Sequence, residues 1–402
     1  MKNISTIHNC YGCGVCATVC SRNIINIELN KDGFYEPRII DMDKCTQCGL
    51  CVDVCAFSHS ELALSSKEED IRSWAAWSDD EHVLRRCSSG GIGFEIARQL
   101  IEKGYKLCGC RYNADTGRAE HYIAATSEEA VQSIGSKYIQ SFTAEAFKAI
   151  NRKEKYIVTG TPCQIDSFRR YIKKFRVEDN FVLLDFFCHS VPSMWAWKKY
   201  TQMVEKKIGK ITYASWRNKL TGWHDSYAIA LKGNHSEKIK GVVSDGTNAS
   251  SIETMDYNSR LTQGDLFQTL FLGDYCCNPA CVKNCKYKYN RSSADIRIGD
   301  LWGNTYKDND QGVSALVAFS EKGKSVVKSL RNVTLIEHPF EVVTEGQMKK
   351  NTSKAFLAFV AKRMLNSAKE YSLWQWKLLL KSEAILHLPA RICRKISYII
   401  SR

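Results

Sequence analysis

The spacing of apolar residues changes along this chain, and each change predicts an element. In IGFEIARQLIEKGY, Ile92, Ile96 and Leu100 recur at helical spacing between a Ser/Gly-rich loop, CSSGG, and a short apolar strand, KLCGCRY. Residues 121–125 predict a strand, and Thr126 with Glu129 a capping box for a short helix ending near Gly135. Two strand–loop–helix units follow. KYIVTG at 155–160 runs into TPC and a helix through Arg169 and Arg170; FVLLDFF at 181–187 runs into CHSVPS and a helix through Trp197 and Tyr200. Strands alternating with helices in this way favour a parallel sheet. As neighbours, the two strands deliver Cys163 and Cys188 side by side at their C-terminal ends, where open α/β sheets bind ligands. Each cysteine is expected at a helix N-terminus, where negative charge is stabilised.

Residues 211–245 read as antiparallel hairpin strands with Gly/Asn turns, among them SYAIALKG and GVVSDG. LTQGDLFQTLFLG at 261–273 predicts a helix leading into CCNPACVKNC, and ADIRIGD at 294–300 a strand. VSALVAF is read as the final strand, with a helix near 322–330 completing the body. From Gly346 the pattern is that of basic amphipathic helices, with Phe356, Phe359, Val360, Trp374, Trp376 and Leu378 to Leu380 among lysines and arginines. Such a face can lie on an anionic membrane, contact an acidic protein, or pack on the body. The polar SSKEED segment at 65–70 reads as a linker. The expected fold class is mixed, α+β and α/β. A ferredoxin-like module at 1–65 precedes an α/β body at 74–345 with added antiparallel strands, and a helical tail occupies 346–402.

The module is defined by its cysteines. Cys10-x-x-Cys13-x-x-Cys16-x-x-x-Cys20 recurs thirty-five positions later as Cys45-x-x-Cys48-x-x-Cys51-x-x-x-Cys55, the only internal repeat, with KDGFYEP at 31–37 as the turn between halves. In the bacterial ferredoxin spacing, three close thiolates hold one 4Fe-4S cluster and the fourth reaches across to the other. Cys10, Cys13, Cys16 and Cys55 are therefore assigned to one cluster, and Cys45, Cys48, Cys51 and Cys20 to a second. Zinc sites pair shorter clips. Disulfides would need an exported chain. Ser21 and Ala56 stand where a proline often follows the fourth cysteine, which alters backbone stiffness and not ligation.

Composition narrows the setting. With 402 residues the chain has room for two or three domains. MKNISTIHNCYG holds no apolar region before the first cysteine, so no secretory signal is expected, and no apolar run is long enough to span a bilayer. Eighteen cysteines then point to metal ligation in a reducing cytoplasm. The formal charge is +14, of which residues 346–402 supply +10 from twelve Lys/Arg and two Glu. Two clusters would add about four negative charges, leaving the main body near neutral and arguing against a nucleic-acid partner. The tail alone suggests a peripheral place at the inner membrane face.

Smaller signals carry chemistry too. Ser88, Ser89, Gly90 and Gly91 precede a helix whose N-terminal amides can hold a phosphate; the structural alternative is a small-residue turn packed on a sheet. Lys137, in GSKYIQS, can reach a phosphate or stay solvated on its loop. His189 suits proton donation, or serves as hydrogen-bonded scaffolding. Arg291, Asp295 and Asp300 suit buried ion pairs equally well.

SSGGIGFEIA, GSKYIQS, GTPCQI, DFFCHSVPS, CVKNCKYKYNRSSADIRIGDLWG and the two cysteine runs occur in this order. Together they resemble the coenzyme F420 hydrogenase/dehydrogenase beta-subunit family, in the branch with an N-terminal dicluster ferredoxin. The resemblance covers roughly residues 1–345. It implies a flavin-dependent iron–sulfur oxidoreductase with FAD, whose contacts would be Ser88 to Gly91, Gly135, Ser136, Lys137, Tyr138, Gly160 and Thr161. It also implies a third 4Fe-4S cluster on Cys163, Cys188, Cys281 and Cys285, although the family's usual C-x-x-C is Cys281-x-x-x-Cys285 here and Cys276 and Cys277 lie close by. Structural zinc or unligated thiols are the alternatives for that set. Clusters pass single electrons, and a flavin converts them to a hydride. The expected activity passes electrons between a ferredoxin or other one-electron donor and a small organic substrate, either coenzyme F420-like or a glycan-pathway metabolite. The competing expectation is a non-catalytic electron-transfer subunit.

Overall fold

A computed structural model describes residues 3–234 and 255–386. The GVVSDG reading and the tail beyond 386 lie outside the described residues. Near the N-terminus, Ile25–Leu29 (β1) and Tyr35–Ile39 (β2) pair antiparallel, with Ile25 opposite Ile39. The Asn30 side chain closes their turn by accepting from the N–H groups of Asp32 and Phe34. The sequence repeat is also a backbone repeat. Gly14 and Gly49, at the same place in each cysteine run, have φ of 76° and 79° and cap the short helices Val15–Val19 and Leu50–Asp53. Val15, Val19, Ile25 and Val54 pack into one core with Phe147, Phe168 and Tyr171 of the body. The module is therefore fused to the body through a continuous apolar contact.

The remaining strands are Arg72–Ser78 (β3), Lys106–Asn113 (β4), Arg118–Ala124 (β5), Ser141–Phe142 (β6), Tyr156–Thr159 (β7), Phe181–Phe186 (β8), Ile211–Ser215 (β9), Ala228–Gly233 (β10), Tyr257–Arg260 (β11), Ile296–Asp300 (β12), Ser314–Ala318 (β13) and Val333–Glu337 (β14). Nine form one sheet in the order β14-β3-β13-β12-β8-β7-β4-β5-β6. Its centre, β4-β7-β8-β12, is parallel, and the strands outside it are mostly antiparallel. β7 and β8 are neighbours, as the alternation of strand and helix predicts. The apolar runs YIV and FVLL are buried because helices cover both faces of this centre.

β3 and β14 are among the strands that escape the sequence reading. β3, RSWAAWS, carries alanines and serine in place of β-branched residues, yet it lies between β14 and β13. β14 follows the helix Glu321–Lys328, so the body ends one strand later than the sequence suggests. Cys188 also departs from expectation. Its helix, Met194–Ile208, begins only after a Ser193 cap, so Cys188 sits in a loop and not at a helix N-terminus. Proline at 192 and the bridge from Pro192 to Cys277 hold that loop extended.

β11-β10-β9 form a separate antiparallel sheet against the Met194–Ile208 helix. The tail folds back here. Ala361, Met364 and Leu365 of the helix Ala358–Asn366, with Trp376 and Leu379 of the helix Leu373–Leu386, join the core around Trp197 and Trp216. Part of the apolar tail thus packs on the body. No helix among the described residues is long and apolar enough to cross a membrane.

Candidate functional site

Three groups of thiols gather between the module and the body. Cys16 is pushed well above the ordinary thiol value by burial and then by the charges of Cys13, Cys10, Cys55 and Cys51. Burial and Cys55 push Cys13 up to about 11. Cys51 is raised by burial, with Cys48 and Cys20 adding to it. Cys55 thus lies near the first run and Cys20 near the second. Cys48 is exposed, whereas Cys10, Cys16, Cys51 and Cys55 are buried. Thiols crowded in this way release protons only against added positive charge, which a metal centre supplies.

The third group is Cys163, Cys188, Cys281 and Cys285. Cys163 stands second in the helix Pro162–Lys174, whose Thr161–Gln164 capping box fixes that first turn. Burial raises Cys163 most, followed by Cys281, with Cys188 and Cys13 contributing. Cys281 is pushed up to about 12 by burial, Cys188 and Cys285. Cys276 and Cys277 point elsewhere: their thiols approach the carbonyl oxygens of Leu270 and Phe271. The first and third groups share one helix. Ser167, one turn beyond Cys163, accepts hydrogen bonds from the Cys13 thiol at 3.2 Å and the Ala56 N–H at 3.0 Å. Tyr11 lies between the groups, its hydroxyl donating to the Asn284 carbonyl at 2.5 Å.

Beside the third group a cavity of about 430 Å³ opens at the C-terminal ends of β7 and β8. Its walls include Ser88, Ser89 and Gly91, the whole stretch from Gly135 to Tyr138, and Gly160, Thr161, Cys188 and His189. Gly90 is behind the wall. A Cβ there would lie 2.4 Å from the Ala76 carbonyl oxygen, so only glycine lets the loop lie against β3. Ser88 accepts from the Ser136 N–H at 3.0 Å, joining the two loops. Lys137 lines the cavity while its ammonium donates to the carbonyls of Gln132, Ser133, Ile134 and Gly135. Lys219, which the sequence did not single out, does the same for Leu84, Ser89 and Gln311. Burial pushes both lysines down to about 8. Their charges lie beside the loops and favour an anion there.

Part of the wall is aromatic. Tyr138 stacks near Tyr227 at 6.1 Å, Tyr227 near Trp302 at 5.9 Å, and Trp302 on Trp223 at 4.9 Å. Arg217, paired with Asp300, lies over Tyr227 and Trp302. A planar ligand with an anionic arm suits these surfaces. His189 is held at one edge, with Nε2 2.9 Å from Asp274 Oδ1 and Nδ1 3.1 Å from Met348 Sδ. The hydrogen bond from His189 is the largest of the influences that hold the Asp274 carboxylate below its usual range despite burial. Arg291 and Asp295 serve the scaffold: Arg291 donates to the Lys286 carbonyl, and Asp295 pairs with Arg169 at 2.9 Å.

His121 is a further wall residue. Its Nε2 lies 2.8 Å from the Thr159 carbonyl oxygen, and its buried Nδ1 has no partner. Burial pushes its pKa from 6.5 down to about 4. The unfolded chain therefore binds a proton between these values that the folded chain refuses. The contribution to stability is complete above about pH 6.5 and is lost as pH falls toward 4, in total about 3 kcal/mol. Urea unfolding of His121→Gln beside the parent between pH 4.5 and 7 should show a shallower acid limb in the variant; parallel limbs would refute the assignment.

Residues 153–339 match the family model that describes the C terminus of the coenzyme F420 hydrogenase/dehydrogenase beta subunit, and residues 9–58 match a 4Fe-4S dicluster domain. The coenzyme F420 hydrogenase subunit beta of Methanococcus voltae is 31% identical over 124 residues, which is 28% of this chain and 44% of that protein. The chain thus aligns with less than half of that curated relative. A chain of the F420-reducing [NiFe] hydrogenase complex from Methanosarcina barkeri, solved in a xenon derivatization, superposes with a TM-score of 0.44 at 15% identity, covering 77% of this chain and 90% of that one. The two matched segments, a dicluster domain followed by the family's C-terminal region, are what this chain shares with the coenzyme F420 hydrogenase/dehydrogenase beta-subunit family.

Proposed function

We propose that the chain is an iron–sulfur oxidoreductase subunit that passes electrons between a ferredoxin-like donor and a small organic substrate, a coenzyme F420-like deazaflavin being the first candidate. One observation carries the proposal: Cys16 of the first run feels Cys51 of the second, Cys163 feels Cys13, and Cys188, which also acts on Cys163, lines the cavity. Cys10, Cys13, Cys16 and Cys55, then Cys45, Cys48, Cys51 and Cys20, then Cys163, Cys188, Cys281 and Cys285 would each hold a cluster. Bound there, 4Fe-4S clusters supply one-electron steps and FAD the conversion to hydride transfer.

The chain's own residues orient and insulate. The loops at 88–91 and 135–138 present backbone to an anionic arm, with the Lys137 and Lys219 charges beside them. Tyr138, Tyr227 and Trp302 offer a face for a planar ring. His189, held by Asp274, gives up or takes a proton at the cavity edge.

The test is the composition of protein purified without oxygen: iron, sulfide, zinc and released flavin. About twelve irons and one FAD per chain are expected. About eight irons and no flavin after reconstitution would leave a non-catalytic electron-transfer subunit. In the loaded protein, His189→Asn should keep iron and flavin while slowing turnover about a hundredfold. An unchanged rate would remove the proton role.

A further inference from the structure

The helix Leu373–Leu386 is apolar on two sides, and among the described residues only one is covered. Trp376 and Leu379 are buried against the body, and Glu383 beside them accepts from the N–H groups of Phe356 and Leu357 at 2.8 and 2.7 Å. Trp374, Leu378, Lys381 and Ile385 form the opposite stripe, at helical spacing, with Trp374 69% and Ile385 67% exposed. Phe356 and Phe359, 65% and 56% exposed, extend this apolar surface from the neighbouring segment. Half of the large apolar side chains that the described residues expose lie in this short region, so it is no scatter of single residues.

The charge around the surface says what covers it. Residues 346–386 hold eight Lys/Arg against two Glu. Exposed Lys354, Arg363, Lys377 and Lys381 accompany the apolar stripe. A second copy would bring the same positive face to this one, which like-charge repulsion opposes. Aromatic side chains flanked by lysines, on helices whose described residues are not long and apolar enough to span, suit the headgroup layer of a bilayer. We infer that the helices Ala358–Asn366 and Leu373–Leu386 form a docking surface for an anionic membrane, with Phe356, Phe359, Trp374, Leu378 and Ile385 entering the interface. The surface is tied to the rest of the chain. Lys362 pairs with Asp32 at 2.7 Å and Asn366 donates to Asp32 at 2.8 Å, at the β1–β2 turn. Docking would hold the cluster-bearing module at a fixed attitude to the bilayer.

The test is flotation of the full, anaerobically purified chain with phosphatidylcholine vesicles, alone or enriched in phosphatidylglycerol. Binding is expected only to the anionic vesicles and should weaken with salt. Phe359→Glu with Trp374→Glu should weaken it at least about tenfold, and Lys377→Glu with Lys381→Glu should also lower it, while circular dichroism and iron content stay unchanged. These positions are exposed, so folding is not at stake. Absence of flotation overturns the inference. So does equal binding by the double-glutamate variants, or a dimer in light scattering that Trp374→Glu abolishes.

Discussion

Cys163→Ser should leave the chain with about eight irons in place of about twelve and abolish substrate reduction, while reduction of the N-terminal module by a chemical donor persists. Cys163 lies where the third group of thiols meets the first: it feels the charges of Cys281, Cys188 and Cys13 together. Serine keeps the volume and the Thr161–Gln164 box, so the helix start is undisturbed. In the proposed third cluster it removes a soft ligand, and the proposed relay through Cys188 is lost. Loss of turnover of about a thousandfold or more is expected, because no other thiol replaces the missing contact. Cys276→Ser is the control. Its sulfur turns to the Leu270 carbonyl, so iron should stay near twelve, within about one. If Cys276→Ser lost iron and Cys163→Ser did not, the ligand set would be wrong.

How much of this was open to reading from sequence depended on how local each signal is. The crossed proximity of Cys55 to the first run and Cys20 to the second follows from two identical spacings on one fold-back of chain. The parallel centre was legible because β7 and β8 are unbroken apolar runs, each with a helix behind it. Other features needed distance. Lys219 comes from an irregular segment after β9, yet it caps carbonyls at Leu84 and Ser89, more than a hundred residues earlier. Nothing around Lys219 in sequence marks it. His121 sits mid-strand among EHYIA and becomes a cavity residue only because β5 lies beside β4 and near Thr159. At Lys137 the sequence was only partly readable. A lysine beside a glycine suggests a phosphate contact, but not the four carbonyls near the end of a short helix that its ammonium engages. In the tail, periodicity exposed an apolar face but could not say that a second one exists, since the body covers Trp376 and leaves Trp374 in solvent.

Arg297→Met should destabilise the folded chain by about 3–5 kcal/mol, a large share of the stability of a typical domain. Arg297 and Asp185 are both fully buried and joined by two 2.7 Å bonds between β12 and β8. The same guanidinium donates to the carbonyls of Tyr287, Tyr289 and Arg291. Methionine fills the space but leaves a carboxylate uncompensated and three carbonyls short of a donor. Arg297→Lys should recover only part of the loss, because an ammonium cannot reproduce the planar two-pronged contact. Asp185→Asn added to Arg297→Met should recover stability relative to the single variant, since it removes the stranded charge. Urea unfolding without oxygen measures all three, and a single variant within about 1 kcal/mol of the parent would sink the claim. The site should suffer as well. The loop that Arg297 organises begins at Cys285 and carries Lys288, whose ammonium donates to the carbonyls of Cys188 and His189 at 2.6 and 2.5 Å. Iron bound at the third group should therefore fall in parallel with stability, while the eight-cysteine module, built on other contacts, keeps its own.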